Sequence, residues 1–206
     1  MKQLFTTTAL AAFFVTPAFA GSPSAFVIED PAVVAITSEA TDWSGPYIGA
    51  TVSLGSGTYI YDSSGKMRIE DLLDTTQFGA FAGYSFQRGN LVFGVEAAYT
   101  TGRMEWDSDT YYAYDWIADL KGRVGYAMGD ALIYAVAGGS WAGYDYDTHP
   151  ETHSGFNYGV GVDFHVTDGM FVGLEYLQRD VSLEVGQNTT RGGNIQSISA
   201  RVGLSF

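Results

Sequence analysis

The chain has 206 residues, about one domain's length, and a formal net charge of −13 with no basic tract, so no nucleic-acid partner is expected. It contains no cysteine, which excludes disulfide scaffolds, thiolate nucleophiles and cysteine-ligated metals. Its 26 glycines, 15% aromatics and five prolines suit strands, with glycine where side chains would collide and aromatics where a surface is half wet.

Residues 1–20, MKQLFTTTALAAFFVTPAFA, place Lys2 before an apolar run over 9–15 and close on Ala18-Phe19-Ala20, a small-x-small cleavage pattern. The run is shorter than the ~20 residues of a spanning helix. It reads as a secretory signal peptide, and losing Lys2 with it takes the charge from −13 to −14. Residues 21–42 carry two prolines and no sustained period, and are expected to form a flexible periplasmic N-terminal segment.

From Trp43 the period becomes two. Strands are expected at 46–59, 76–87, 91–105, 112–127, 131–146, 156–166, 170–185 and 197–206. The turns RGN (88–90), MGD (128–130) and TDG (167–169) are tight and carry hairpin chemistry. The other connections, 61–75, 106–111, 147–154 and 186–192, are longer and polar. Eight strands with short turns at one end and long loops at the other predict an all-β fold over 43–206, an eight-stranded antiparallel up-and-down transmembrane β-barrel. Both termini would be periplasmic.

The two faces of these strands decide what surrounds the barrel. Glu96, Asp119, Lys121, Arg123, Asp163, His165, Glu175, Arg179 and Arg201 share one face with Gly and Ser, while Phe93, Val95, Tyr99, Leu120, Val124, Tyr126, Val172, Leu174 and Tyr176 occupy the other. A water-soluble barrel exposing the second set would aggregate, whereas in lipid a closed barrel needs only apolar side chains outside. The expected location is the cell outer membrane. Two aromatic girdles are expected, Phe86, Tyr126, Tyr134, Phe164 and Phe206 near the short turns and Tyr99, Trp116, Tyr144 and Tyr158 nearer the loops. Strand 131–146 is apolar on both faces, so its register and the direction of Trp141 stay open.

Three motifs, DWSGPYIGATVSLGSG (42–57), LKGRVGYAMGDALIYAVAGGSWAG (120–143) and the terminal SARVGLSF, resemble the small outer-membrane β-barrel family of alphaproteobacteria. Members open with W-[ST]-G-x-Y-x-G and carry R-x-R-x-G-Y before Y-x-x-G-G; Lys121 stands here where the first arginine of the second motif is usual. The family is similar to the transmembrane half of OmpA-type proteins. The resemblance implies an abundant surface protein supporting envelope integrity and surface interaction, with outer-membrane lipids and lipopolysaccharide around it. It also implies Phe206 as the assembly signal for the barrel-assembly machinery, and peptidoglycan or host surface molecules as further partners.

An eight-stranded barrel leaves an interior just wide enough for side chains. Glu96 and Glu175 are therefore expected to pair with Lys121, Arg123 and Arg201 in a lumen ion-pair network that plugs the barrel, because an unpaired charge there would be costly. His149 and His153, four apart in DYDTHPETH, are the weak metal candidates, since imidazole suits Zn²⁺, Cu²⁺ and haem iron. Nothing else fixes ligand geometry there, so no metal and no cofactor are expected. His165 lies by a periplasmic turn with no Ser-His-carboxylate spacing around it. It reads as a hydrogen-bonding lumen residue, and no catalysis is expected. Two other roles fit the same architecture: a small diffusion porin, and a surface receptor or adhesin for haem or a host molecule. Bilayer conductance separates the first and haem titration the second.

Overall fold

Period-two patterning becomes eight strands: β1 (Gly45–Ser63), β2 (Lys66–Arg88), β3 (Leu91–Glu105), β4 (Tyr112–Met128), β5 (Ala131–Tyr146), β6 (His149–Thr167), β7 (Met170–Glu184) and β8 (Thr189–Ser205). The computed structural model describes residues 41–63, 66–105, 112–146, 149–184 and 189–206. The expected signal peptide and residues 21–40 of the expected N-terminal segment lie outside the described residues. Every strand pairs antiparallel with its sequence neighbour, and β1 pairs with β8 from Tyr47↔Ser205 to Ser63↔Thr189, so the sheet is a closed barrel. Closure leaves no unpaired edge, which is what a sheet in hydrocarbon requires.

At one end the strands are joined by two-residue turns. Gly89 and Gly129 adopt φ of 61° and 60°, the left-handed region that these turns need and that side chains disfavour. At the other end several strands run further than the sequence suggests. Residues 61–75 and 147–154, expected as loops, mostly continue β1, β2 and β6. The reason is that a hairpin standing in water can be polar on both faces, so its strands lose the alternation that marks the lipid-facing part. Three irregularities break the pairing near this end, between Gly55 and Gly57 of β1, between Thr101 and Met104 of β3, and between Tyr114 and Trp116 of β4.

Outward positions carry the large apolar side chains: Ile48, Val52 and Leu54 on β1, Phe93, Val95 and Tyr99 on β3, Leu174 and Tyr176 on β7 are all exposed. Trp141 also points outward, which settles the open direction on β5. Inward positions alternate aromatics with glycine directly across the strand pair. Tyr47 faces Gly83, Phe81 faces Gly49, Tyr134 faces Gly161 and Phe171 faces Gly203. A Cβ on Gly161 would lie 2.3 Å from the Tyr134 ring, and one on Gly83 2.4 Å from Tyr47, so each glycine provides the floor on which a ring lies. This corrects the girdle assignment at two positions. Tyr134 and Tyr144 are both 2% exposed and face the lumen. Phe86, Tyr126, Phe164 and Phe206 at the turn end, and Tyr99 and Tyr158 toward the other, are exposed on the outer wall.

Candidate functional site

The lumen is filled in tiers, and its charged tier is built by β3, β4, β6, β7 and β8. Inward alternation on β4 presents Asp119, Lys121 and Arg123 in succession, while β3 offers Glu96, β6 Asp163, β7 Glu175 and Arg179, and β8 Arg201. All eight are buried. Four carboxylates thus meet four cations inside a wall of lipid-facing side chains.

Six of the eight form one network. Glu96 accepts from Arg201 Nη2 at 2.6 Å and Arg123 Nη1 at 3.1 Å, and lies 2.8 Å from Lys121 Nζ. Lys121 also donates to Glu175 Oε1 at 2.6 Å, and Arg201 Nη1 to Glu175 Oε2 at 3.0 Å. Asp163 completes the group, accepting from Arg123 Nη2 at 2.7 Å; Arg201 Nε stands 3.3 Å from it as an ion-pair contact without hydrogen-bond alignment. Two phenols stitch the charges together. Arg123 donates to Tyr47 Oη at 3.0 Å, which donates on to Glu96, and Arg201 donates to Tyr134 Oη at 3.0 Å. The guanidinium of Arg123 lies 3.9 Å from the centroid of Tyr134, and that of Arg201 lies 4.1 Å from Phe81, so cation–π contact covers faces that no carboxylate reaches.

The structure therefore brings Glu96, Lys121, Arg123, Glu175 and Arg201 into contact, and adds Asp163, Tyr47 and Tyr134. A second pair stands toward the long-strand end. Arg179 grips Asp119 side-on, Nε to Oδ1 at 3.0 Å and Nη2 to Oδ2 at 2.7 Å. Ser140 donates to the same carboxylate at 2.5 Å, Asn157 to Ser140 Oγ at 2.8 Å, and Arg179 Nη1 to Ser197 Oγ at 2.9 Å. The alternation shows that both residues point inward. It does not show that strands β4 and β7, which are not neighbours in the sheet, bring them together across the lumen.

Aromatic tiers close both ends. At the turn end the Trp43 indole, 8% exposed, stacks on His165 at 3.9 Å and leans on Phe171. His165 differs from its expected role: among the described residues neither ring nitrogen has a hydrogen-bond partner, and the ring serves as a stacking surface for Trp43. At the other end Tyr59, Tyr114 and Tyr144 surround His153, which is fully buried and hydrogen bonded through Nδ1 to Tyr114 Oη at 2.9 Å. His153 thus lies inside the barrel, not on an external loop, with Glu151 Oε2 3.8 Å from its Nε2. The side chain of His149 lies outside the described residues. Among the described residues no three His, Cys, Asp or Glu side chains converge on a point where a metal ion would sit.

Phe206 hangs at the turn end, 77% exposed, and its amide donates to Pro46 O at 3.0 Å, so the last residue is held to β1 by its backbone while its ring stays outside.

Known proteins place this geometry. Residues 6–206 match the family model described as the outer membrane protein beta-barrel domain. A 22 kDa outer membrane protein of Rhizobium leguminosarum bv. viciae is 33% identical over 181 residues, covering 81% of this chain and 80% of that protein. A 25 kDa outer-membrane immunogenic protein of Brucella ovis is 26% identical over 215 residues, covering 100% of this chain and 98% of that one. Among solved structures, Neisserial surface protein A superposes with a TM-score of 0.51 at 19% identity, over 79% of this chain and 98% of that one, a likeness of fold.

Proposed function

Since the chain belongs to the outer membrane protein beta-barrel domain family, and is an outer-membrane protein, we propose that its barrel is a closed structural element of the envelope that carries surface loops and neither conducts nor catalyses. The observation that carries this reading is the charge-balanced lumen: each inward carboxylate touches at least one inward cation. A conducting pore keeps its charges wet and spaced. Here they are buried and mutually bonded, and desolvated charges of this kind hold only while paired. The aromatic tiers at Trp43 and at Tyr114 and Tyr144 add a second and a third closure.

A role in envelope integrity and surface interaction is supported by a closed barrel whose strands run beyond the apolar band. The Brucella relative is named immunogenic, which accords with a surface-displayed protein. The test is conductance with stability. Wild-type protein in planar bilayers should give no large stable channels, and Glu175→Gln should lower thermal stability, read by heat-modifiable gel migration, without opening any. Large, stable wild-type currents would overturn the closed-barrel reading in favour of a small diffusion porin.

A further inference from the structure

The outer wall is not uniformly apolar. On β7, β8, β1 and β2 the outward residues Tyr176, Ile198, Leu54 and Phe78 are followed by polar ones, Gln178, Gln196, Ser56 and Thr76, and on β2 exposed apolar side chains resume beyond them at Leu73, Ile69 and Met67. These polar side chains form a hydrogen-bonded belt on the outside of the barrel. Gln196 Nε2 donates to Ser56 Oγ at 3.1 Å, Tyr176 Oη lies 2.9 Å from Gln178 Oε1 and 3.3 Å from Gln196 Oε1, and Gln178 bonds Asn194.

A recess of about 510 Å³ opens in this belt, lined by Leu54, Ser56, Asp74, Thr76, Tyr176 and Gln196. Its cause is the bulge between β1 and β2: pairing passes from Gly55↔Thr75 to Gly57↔Leu72, so Leu73 and Asp74 together stand opposite Ser56. The extra residue parts the wall and leaves Asp74 at the recess. Bulges recur where a strand must re-aim a side chain. A second lobe of about 320 Å³ shares Ser56, Asp74 and Gln196, and adds Thr58, Asp71 and Asn194.

The lining chemistry selects the occupant. Amides and hydroxyls both donate and accept, and the carboxylates accept. Among the described residues no lysine or arginine lines either lobe, and Asp71 and Asp74 repel anions. A phosphate is therefore disfavoured, while a polyhydroxylated head can donate to Asp74 and Gln196 Oε1 and accept from Ser56 and Thr76. Directly below, Leu54, Ile198 and Leu174 offer an apolar wall on which acyl chains can lie. The geometry points to a lateral site for an outer-leaflet glycolipid whose uncharged sugar, rather than a phosphate, sits in the recess between β7, β8, β1 and β2.

The test uses native mass spectrometry of the protein purified from outer membranes into an oligoethylene-glycol detergent, with equal amounts of digalactosyl diacylglycerol and phosphatidylglycerol of matched chains. The glycolipid should be retained about tenfold over phosphatidylglycerol, the ratio expected for one or two net hydrogen bonds. Ser56→Ala combined with Gln196→Ala should bring that ratio near parity, and Asp74→Lys should reverse it. Heat-modifiable migration checks that each variant is folded; these side chains lie outside the lumen network. Equal retention of both lipids by wild type, a phosphatidylglycerol preference, or a glycolipid preference that survives both variants would overturn the site. Equally strong retention of free lactose would overturn the lipid as its occupant.

Discussion

Replacing Asp119 by Asn should destabilise the barrel more than replacing Glu96 by Gln, although Glu96 contacts three cations and Asp119 grips one. Glu96 touches Lys121, Arg123 and Arg201, but each keeps another carboxylate when Glu96 is neutral: Lys121 keeps Glu175 at 2.6 Å, Arg123 keeps Asp163 at 2.7 Å and Arg201 keeps Glu175 at 3.0 Å. Among the described residues, Arg179 has no second carboxylate in contact. Without Asp119 it retains the Ser197 hydroxyl at 2.9 Å while remaining 4% exposed. Glu96→Gln leaves three cations against two carboxylates, an excess shared among donors that each still touch a carboxylate, at about 1.5–3 kcal/mol, whereas Asp119→Asn puts the whole excess on Arg179, and a buried charge left uncompensated costs about 3–5 kcal/mol. With a urea slope of about 2 kcal/mol per molar, Asp119→Asn should lower the midpoint by on the order of 2 M, and Glu96→Gln by about half that. The assay is urea unfolding in detergent micelles followed by tryptophan fluorescence, approached from both the folded and the unfolded side. Adding Arg179→Met to Asp119→Asn should recover most of the loss, since it removes the stranded charge. An Asp119→Asn shift no larger than that of Glu96→Gln, or a double variant as unstable as the single, would refute the pairing argument.

Gly161→Ala should cost about 1–3 kcal/mol by forcing the Tyr134 ring off Arg123, a loss that Tyr134→Leu in the same chain should reduce. Trp43→Ala should cost about 3 kcal/mol and uncover His165, yet leave bilayer conductance unchanged because the ion-pair tier remains shut. Phe206→Ala should change the stability of refolded protein by less than about 0.5 kcal/mol, because the ring is mostly exposed, while lowering the amount of folded barrel recovered from outer membranes. Equal losses in both measurements would assign Phe206 to packing rather than to assembly.

Much of the architecture was legible because lipid imposes a strict rule on one face. For β3 and β5 the expected bounds coincide with the strands, since their ends are marked by a tight turn on one side and a polar connection on the other. Legibility failed where that rule lapses. On β5 both faces are apolar, and Tyr134 and Tyr144, expected in the outer girdles, face the lumen instead. What decides them is the space each finds inside: Tyr134 points inward over Gly161 of the neighbouring strand, at a register the sequence does not show. Above the apolar band, β1 and β2 run on through Asp and Ser residues that read as loop. The network's members were readable as inward-facing, but the Asp119–Arg179 pair spans 60 residues and non-adjacent strands, and alternation carries no information across a lumen.

The cross-strand pairing of inward aromatics with glycines also bears on how the barrel acquires its register. Because side chains alternate, a hairpin can slip by two residues and still keep every side chain on its proper face, so the lipid rule does not detect the error. The glycine partners do. Slipped by two, Tyr47 would face Phe81 or Ser85 instead of Gly83, and Phe171 would face Arg201 or Ser205 instead of Gly203. Each ring would then meet a Cβ where it needs open floor. Both pairs lie within single hairpins, β1–β2 and β7–β8, so each can be proofread locally before the first and last strands meet.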